Sequence, residues 1–185
     1  PKNIKNINNI IGYNFRMGEI EAAIGNTQLK KLVNLVKERV SIAKFFSQEL
    51  KNFSGLTIPK IKKGFNHNFY VYAIKYNQDE TKISRDKIVK KLQSLGAPVV
   101  PGYANVHLYP MFQRKIAYGN KNFPWSISKR SMKINYKKGI CPVSEELNDK
   151  VIIKIPICDY QFDKNDQKKL IKCFHQAWEY FGLKK

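Results

Sequence analysis

Residues 12–29 read GYNFRMGEIEAAIGNTQL, and they join a polar, glycine-containing turn to the start of a long helical pattern. Within the turn, Asn14 and Arg16 alternate with two aromatic residues. An extended backbone would therefore place the polar side chains on one side and the rings on the other. Backbone N–H groups, the helix dipole and a guanidinium would then converge on an anion at the helix start. The stretch predicts an anion-binding turn followed by a helix.

The helical pattern continues well beyond this turn. Apolar residues recur at spacings of three and four over residues 20–50, which is long for one helix of a globular protein. Gly25-Asn26 and residues 32–34 are weak points, so we expect a bend or break at one of them. The apolar stripe that follows Leu29 is expected to form core or a subunit interface.

Shorter patterns follow and alternate between strands and helices. The β-branched and aromatic run 68–76 predicts the strongest strand. The other predicted elements are strands at 56–61, 97–101 and 151–155, helices at 84–95, from Pro142 and after Asp163, a polar turn at 78–82 and a loop at 113–139. This order predicts an α+β fold in which helices pack on a small, mostly antiparallel sheet.

The net charge of +20 comes from 34 Lys and Arg residues against 14 Asp and Glu residues. Such a charge favours polyanions, and a basic polyanion-binding or nucleic-acid-binding module is one interpretation. Nearly all of the positive charge is Lys, which acts as a point charge and reads bases poorly. The composition therefore predicts non-specific polyanion affinity and disfavours a dedicated nucleic-acid function.

Two further features exclude other classes of protein. No apolar run approaches the ~18 residues of a membrane span and no signal peptide is visible, so we expect a soluble, cytoplasmic protein without a membrane partner. Cys141, Cys158 and Cys173 lack CxxC spacing, which predicts buried reduced thiols and neither a zinc site nor a disulfide framework.

Three separated blocks of this sequence resemble the DegT/StrS family of sugar aminotransferases. They are residues 12–29, the segment LGAP (95–98) leading to GYANVHLYPMF (102–112), and CPVSE (141–145) followed by a strand and a terminal helix. The first block is specific, and the other two occur in the order and spacing of the family. The resemblance covers nearly the whole chain. It implies the small C-terminal domain of an aspartate-aminotransferase-like, fold type I enzyme, residues 33–185, preceded by a cofactor-site motif and connecting helix, residues 1–32.

The resemblance implies a function as well. Members of the family use pyridoxal 5'-phosphate to move an amino group from glutamate or glutamine to a keto group on a nucleotide-linked sugar or a cyclitol, and they work as homodimers. The lysine that binds the cofactor and the aspartate that pairs with its ring nitrogen precede the 12–29 motif in the family. We therefore expect this chain to be catalytically incomplete, with no catalytic residue of its own. A degenerate relative that keeps the scaffold for dimerisation or regulation is a further alternative.

The resemblance assigns cofactor-binding residues to the first block. In the family, the Asn at the position of Asn14 reaches across the dimer to the cofactor phosphate of the other subunit. Arg16 would pair with phosphate or substrate through its forked guanidinium. The alternatives are an Asn adapted to a turn and an Arg16 that neutralises Glu19 or Glu21.

The second block carries the predicted substrate-binding residues, which are His107, Tyr103 and Tyr109. Their loop borders the sugar site in the family, where a neutral imidazole offers hydroxyl groups one donor and one acceptor and a phenol ring can stack. Simple packing in a surface loop is the alternative for each. Glu145 is explained by capping of a helix start, and we expect His175 to be structural.

Overall fold

The computed structural model describes residues 15–119 and 121–185. Its longest element is helix α1, Glu19–Leu50, which continues through Gly25-Asn26 and through residues 32–34, so the expectation of a break at one of them is wrong. The chain divides into two compact units, residues 1–37 and 38–185. The domain boundary predicted between residues 32 and 33 concerns the enzyme implied by the resemblance, and it stays a prediction.

The remaining regular structure consists of short strands and mostly short helices. Their bounds are β1 Leu56–Thr57, β2 Tyr72–Tyr76, α2 Gln78–Thr81, α3 Arg85–Ser94, β3 Val100–Pro101, α4 Pro110–Arg114, α5 Lys129–Lys133, α6 Pro142–Glu146, β4 Ile152–Ile155 and α7 Lys164–Tyr180. Single 3-10 turns occupy Val106–Leu108 and Trp125–Ile127, and a π-turn occupies Leu147–Val151.

The four strands form one sheet in the order β1-β2-β4-β3, and each neighbouring pair is antiparallel. The predicted α+β fold with a mostly antiparallel sheet is therefore confirmed. Strand β2 begins at Tyr72 and not at residue 68, because Phe69 adopts a φ of 50° in the left-handed region and turns the chain. Strand β1 stops before Pro59, which has no N–H to donate to the ladder.

The core lies against one face of this sheet. Alternate residues of β2 and β4 are fully buried there, as the period of two predicts. Trp178 of α7 is completely buried and lies edge-on to Phe53 and Tyr76, with ring centroids 5.4 and 6.4 Å apart. Such aromatic pairs add about 0.5–1.5 kcal/mol each beyond the burial of their area. Asp163 caps α7 as predicted, and its carboxylate accepts the N–H of Asp166 at 2.8 Å.

Two segments are more ordered than the sequence indicates. The predicted polar turn at 78–82 is helix α2, because the Asn77 side chain accepts the N–H groups of Asp79 and Glu80 and so caps a helical turn. The predicted loop at 113–139 contains α5 and a 3-10 turn. It is organised by Trp125, whose indole N–H donates to the Tyr136 hydroxyl at 3.0 Å.

The cysteines are free thiols, but only Cys173 is buried, whereas Cys141 and Cys158 are half-buried. The prediction of three buried thiols is wrong for the latter two, which lie near the surface at the start of α6 and after β4. Among the described residues no group of His, Cys, Asp and Glu side chains could hold a metal ion. In the same part of the chain no helix is both long and apolar enough to cross a bilayer.

Candidate functional site

The loop that carries the predicted substrate-binding residues leaves β3 at Gly102. Gly102 has a φ of 46°, and its N–H donates to the Ile152 carbonyl at 2.8 Å. A Cβ at this position would lie 1.9 Å from the carbonyl oxygen of Asn148. Only glycine permits this approach of the loop to the π-turn.

Polar side chains then attach residues 103–105 to the π-turn. The Tyr103 N–H donates to Oδ1 of Asn148 at 3.1 Å, and Nδ2 of Asn148 donates to Oδ1 of Asn105 at 3.0 Å. Nδ2 of Asn105 donates in turn to Oδ1 of Asp149 at 2.8 Å. We call Tyr103, Asn105, Asn148 and Asp149 the loop clamp. The Lys138 ammonium, 2.9 Å from Asp149, holds the pKa of that carboxyl below its usual range.

The buried side chain of Arg85 binds the backbone of the π-turn and of the residue that follows it. Arg85 is the first residue of α3, it is only 4% exposed, and its guanidinium donates to the carbonyls of Asn148 at 3.2 Å, Ile152 at 2.7 Å and Asp149. Its Nε also pairs with Asp86 at 2.6 Å. Sequence reasoning missed this role, because an arginine that follows an N-cap serine has the pattern of an exposed first-turn residue. Its acceptors are more than 60 positions away along the chain.

His107 and Glu145 form the second anchor of the loop. Nε2 of His107 lies 2.9 Å from Oε1 of Glu145, and the two side chains are 11% and 8% exposed. The Gly139 N–H donates to both carboxylate oxygens of Glu145 at 2.8 Å, and the Cys141 N–H donates to Oε1 at 3.3 Å. Burial opposes ionisation of Glu145, but the N–H groups of Gly139 and Cys141 and the His107 ring together lower its pKa below the usual value. The predicted capping of the α6 start is confirmed by the Cys141 contact, whereas the contact with His107 was not foreseen.

The two tyrosines of the loop present their rings to solvent. Tyr103 is 63% exposed, and the Lys154 ammonium lies 4.5 Å from its ring centroid. Burial lowers the pKa of Lys154, which a Coulombic contribution from Asp159 opposes. Tyr109 is 42% exposed and immediately precedes α4. The rings of Tyr103 and Tyr109 are therefore accessible for stacking, and they flank the anchored His107 in sequence. The roles predicted for the three residues stay predictions.

The other two histidines have structural contacts. His175 packs on the Phe53 ring with centroids 4.9 Å apart, in agreement with a structural role. Nδ1 of His67 accepts the Phe69 N–H at 2.8 Å.

In the unit 1–37, Asn14 lies outside the described residues, so its predicted role stays a prediction. Arg16 is exposed, and within the described residues it makes no ion pair with Glu19 or Glu21, contrary to the neutralisation alternative. The apolar side chains in the described part of this unit are largely exposed. They are Phe15, Met17, Ile20, Ile24, Leu29, Leu32, Val33 and Leu35. The stripe joins the core from Val40 onward, and its fully buried residues are Ala43, Phe46 and Leu50.

Comparisons with known proteins agree with this architecture. Residues 2–172 match the sequence model of the DegT/DnrJ/EryC1/StrS aminotransferase family. The uncharacterized protein MJ1066 of Methanocaldococcus jannaschii is 34% identical over 113 residues, which are 61% of this chain and 29% of that protein. The dTDP-4-amino-4,6-dideoxy-D-glucose transaminase of Escherichia coli is 28% identical over 148 residues, which are 78% of this chain and 38% of that enzyme.

A solved structure supports the fold. The crystal structure of a DegT DnrJ EryC1 StrS aminotransferase from Brucella abortus superposes with a TM-score of 0.61 at 24% identity, over 95% of this chain and 40% of that one. The predicted fold, that of part of a fold type I aminotransferase, is thereby confirmed. The chain spans roughly a third of the length of the curated relatives that it matches.

Proposed function

Because the chain belongs to the DegT/DnrJ/EryC1/StrS aminotransferase family, we propose that it is the C-terminal part of a pyridoxal-phosphate-dependent sugar aminotransferase. The enzyme transfers an amino group from glutamate or glutamine to a keto sugar linked to a nucleotide, with a cyclitol as the alternative acceptor. The observation that carries the proposal beyond family membership is the anchored loop 102–109. It holds an imidazole in place on the same loop as two exposed phenol rings.

The residues of this loop suit a sugar. A sugar combines hydroxyl groups, which need donors and acceptors, with an apolar face that packs on aromatic rings. His107 supplies one ring nitrogen, Nδ1, for a hydroxyl, since its Nε2 lies against Glu145, and Tyr103 and Tyr109 supply exposed faces for the ring. The loop clamp and the contact between His107 and Glu145 fix Tyr103 and the imidazole before the ligand arrives, so little conformational entropy is lost on binding.

The positive charge of the chain fits the same substrate. A nucleotide-linked sugar carries a diphosphate, and a net charge of +20 attracts such a dianion from a distance. Lysine serves this purpose as well as arginine does, since a diphosphate needs charge and not base readout. The composition that favours polyanions in general therefore supports this smaller ligand too.

Two residues of the chain, Arg16 and Asn14, suit the phosphate group of the cofactor. The guanidinium of Arg16 is exposed at the start of α1, and a forked cation there matches the phosphate of pyridoxal phosphate in charge and geometry. Asn14 would add a neutral amide donor to the same phosphate. When it is bound, the cofactor supplies the electron sink for the transfer. Arg16 and Asn14 would position it and supply no proton.

The proposal extends to assembly and location. We place the enzyme in the cytoplasm as a homodimer, in which the exposed apolar face of residues 15–37 is covered by other parts of the assembly. The free thiols in the described part of the chain agree with a reducing compartment. Residues 1–185 alone do not catalyse transfer. This part of the proposal rests on the resemblance and on the small share of each relative that the chain spans.

A transfer assay tests the proposed function. The natural gene product is incubated with pyridoxal phosphate, glutamate and dTDP-4-keto-6-deoxy-D-glucose, and the amino sugar is detected by mass spectrometry. We expect an amino sugar nucleotide from the natural gene product and none from residues 1–185. If the gene product forms no amino product from dTDP-, UDP- or GDP-linked 3- or 4-keto sugars or from a keto cyclitol, with glutamate or with glutamine, the proposal is wrong.

A further inference from the structure

Backbone donors surround the Glu145 carboxylate. The Gly139 N–H meets both of its oxygens at 2.8 Å, and the Cys141 N–H meets Oε1 at 3.3 Å. A backbone N–H only donates, so both oxygens act as acceptors, and these donors favour the ionised form of the carboxylate, in agreement with its lowered pKa. A third group that approaches Oε1 must therefore be a donor as well.

This requirement fixes the tautomer of His107. Its Nε2 lies 2.9 Å from Oε1 of Glu145, so Nε2 carries a hydrogen and donates it. A neutral imidazole has one N–H, which leaves Nδ1 as an acceptor. In the described part of the chain no hydrogen bond occupies Nδ1, and every fully enclosed side-chain nitrogen or oxygen there has a partner. Nδ1 is therefore not fully enclosed, and within that part of the chain it is the ring nitrogen left without a hydrogen bond.

The backbone of His107 is fixed too. Nε2 of Gln113 donates to the His107 carbonyl at 2.8 Å and to the Tyr136 carbonyl at 2.7 Å. The loop clamp holds residues 103–105 on the other side. Both the ring and its loop are thus oriented without a ligand, which is the condition for a preorganised contact.

We infer that Glu145 is a positioning residue that holds His107 in the Nε2–H tautomer, so that Nδ1 accepts a hydrogen bond from a hydroxyl of the sugar substrate. The identity of the ligand rests on the proposed function, but the tautomer does not. A phosphate or carbonyl oxygen carries no hydrogen and cannot satisfy a neutral Nδ1, whereas a sugar hydroxyl can. Tyr103 and Tyr109 on the same loop match the rest of such a ligand.

The tautomer is measured by nitrogen NMR of the 185-residue chain labelled with ¹⁵N-histidine, at a pH about two units above the usual His pKa. We expect His107 to show a protonated Nε2 and an unprotonated Nδ1. Glu145→Leu should give a mixture of tautomers, since it removes the acceptor to which Nε2–H donates. Glu146→Leu is the matched control, because Glu146 is the exposed neighbour on α6, and it should leave the spectrum unchanged.

Either of two results overturns the tautomer assignment. One is an Nδ1–H form of His107 in the unsubstituted chain, which the spectrum decides without any variant. The other is an unchanged tautomer in a folded Glu145→Leu chain. Since neither cofactor nor turnover is needed, failure here is distinct from failure of the transfer assay.

The ligand is tested by titrating the labelled chain with dTDP-glucose and, separately, with dTDP. We expect the Nδ1 signal of His107 to respond to dTDP-glucose and not to dTDP. His107→Gln keeps an N–H for Glu145 but loses the ring acceptor, and it should weaken dTDP-glucose binding about 2- to 10-fold. An equal response to both ligands, or no response to saturating dTDP-, UDP- or GDP-glucose, overturns the hydroxyl assignment and leaves the tautomer result in place.

Discussion

Replacement of Arg85 by Met tests the support beneath the candidate site. The change keeps an apolar side chain between α3 and the π-turn but removes the donors to three carbonyl oxygens. Ile152 keeps a donor, because its carbonyl also accepts the Gly102 N–H at 2.8 Å. The carbonyls of Asn148 and Asp149 lose theirs. At about 1–3 kcal/mol for each unsatisfied buried acceptor, with part recovered by water at this half-buried turn, we expect a loss of about 2–4 kcal/mol.

The free energy of unfolding is measured by urea titration, with the fluorescence of Trp125 and Trp178 as the probe. Arg130→Met is the control, because Arg130 is exposed on α5 and its replacement should change the free energy by less than about 0.5 kcal/mol. Arg85→Lys should fall between the two, since an ammonium keeps the charge but not the fork. If Arg85→Met destabilises the chain no more than Arg130→Met, the support assigned to Arg85 is wrong.

Three further predictions concern the close approach at Gly102, the loss of stability at low pH and the binding of DNA by the positively charged chain. Gly102→Ala should lower the free energy of unfolding by about 2–4 kcal/mol, since its Cβ would lie 1.9 Å from a carbonyl oxygen. Gly64→Ala also has a positive φ but meets nothing within 4 Å, so about 1 kcal/mol is expected in the same urea titration. The pKa of Glu145 is lowered in the folded chain, so its carboxylate stabilises the fold at any pH above the ordinary glutamate pKa. This stabilisation is lost as the pH falls through the lowered pKa. Glu145→Gln should therefore flatten the acid limb of thermal melts, and a limb as steep as before would contradict this. DNA affinity in fluorescence anisotropy should fall steeply between about 50 and 200 mM salt without sequence preference, and selective binding that survives would favour the nucleic-acid alternative.

Features coded by neighbouring residues were predictable from the sequence. Asp163 caps α7 because its own next residues supply the N–H groups, and β2 buries alternate residues because its period is two. Gly96, with a φ of 89°, follows α3 just after the predicted end of that helix at residue 95, where glycine commonly stops a helix. The resemblance added the family, which the match over residues 2–172 confirms.

Contacts between distant residues were not predictable in the same way. Arg85 and its acceptors, and His107 and Glu145, are separated by tens of residues, and no local pattern marks either pair. The start of β2 was not predictable from strand propensity either. Phe69 has a positive φ, which is rare for a bulky residue and depends on its surroundings in the fold. Periodicity identified the apolar stripe of α1, but it contains no information on what covers the exposed residues before Lys37.

The absorption spectrum of pyridoxal phosphate tests the central claim most directly, namely that this chain is one part of an aminotransferase whose cofactor is bound covalently elsewhere. The natural gene product should retain one cofactor per chain after dialysis, with a visible band that borohydride removes as it attaches the cofactor covalently. Residues 1–185, treated alike, should retain no such band. One cofactor per chain that survives dialysis of residues 1–185 and is trapped at a single lysine would contradict the account.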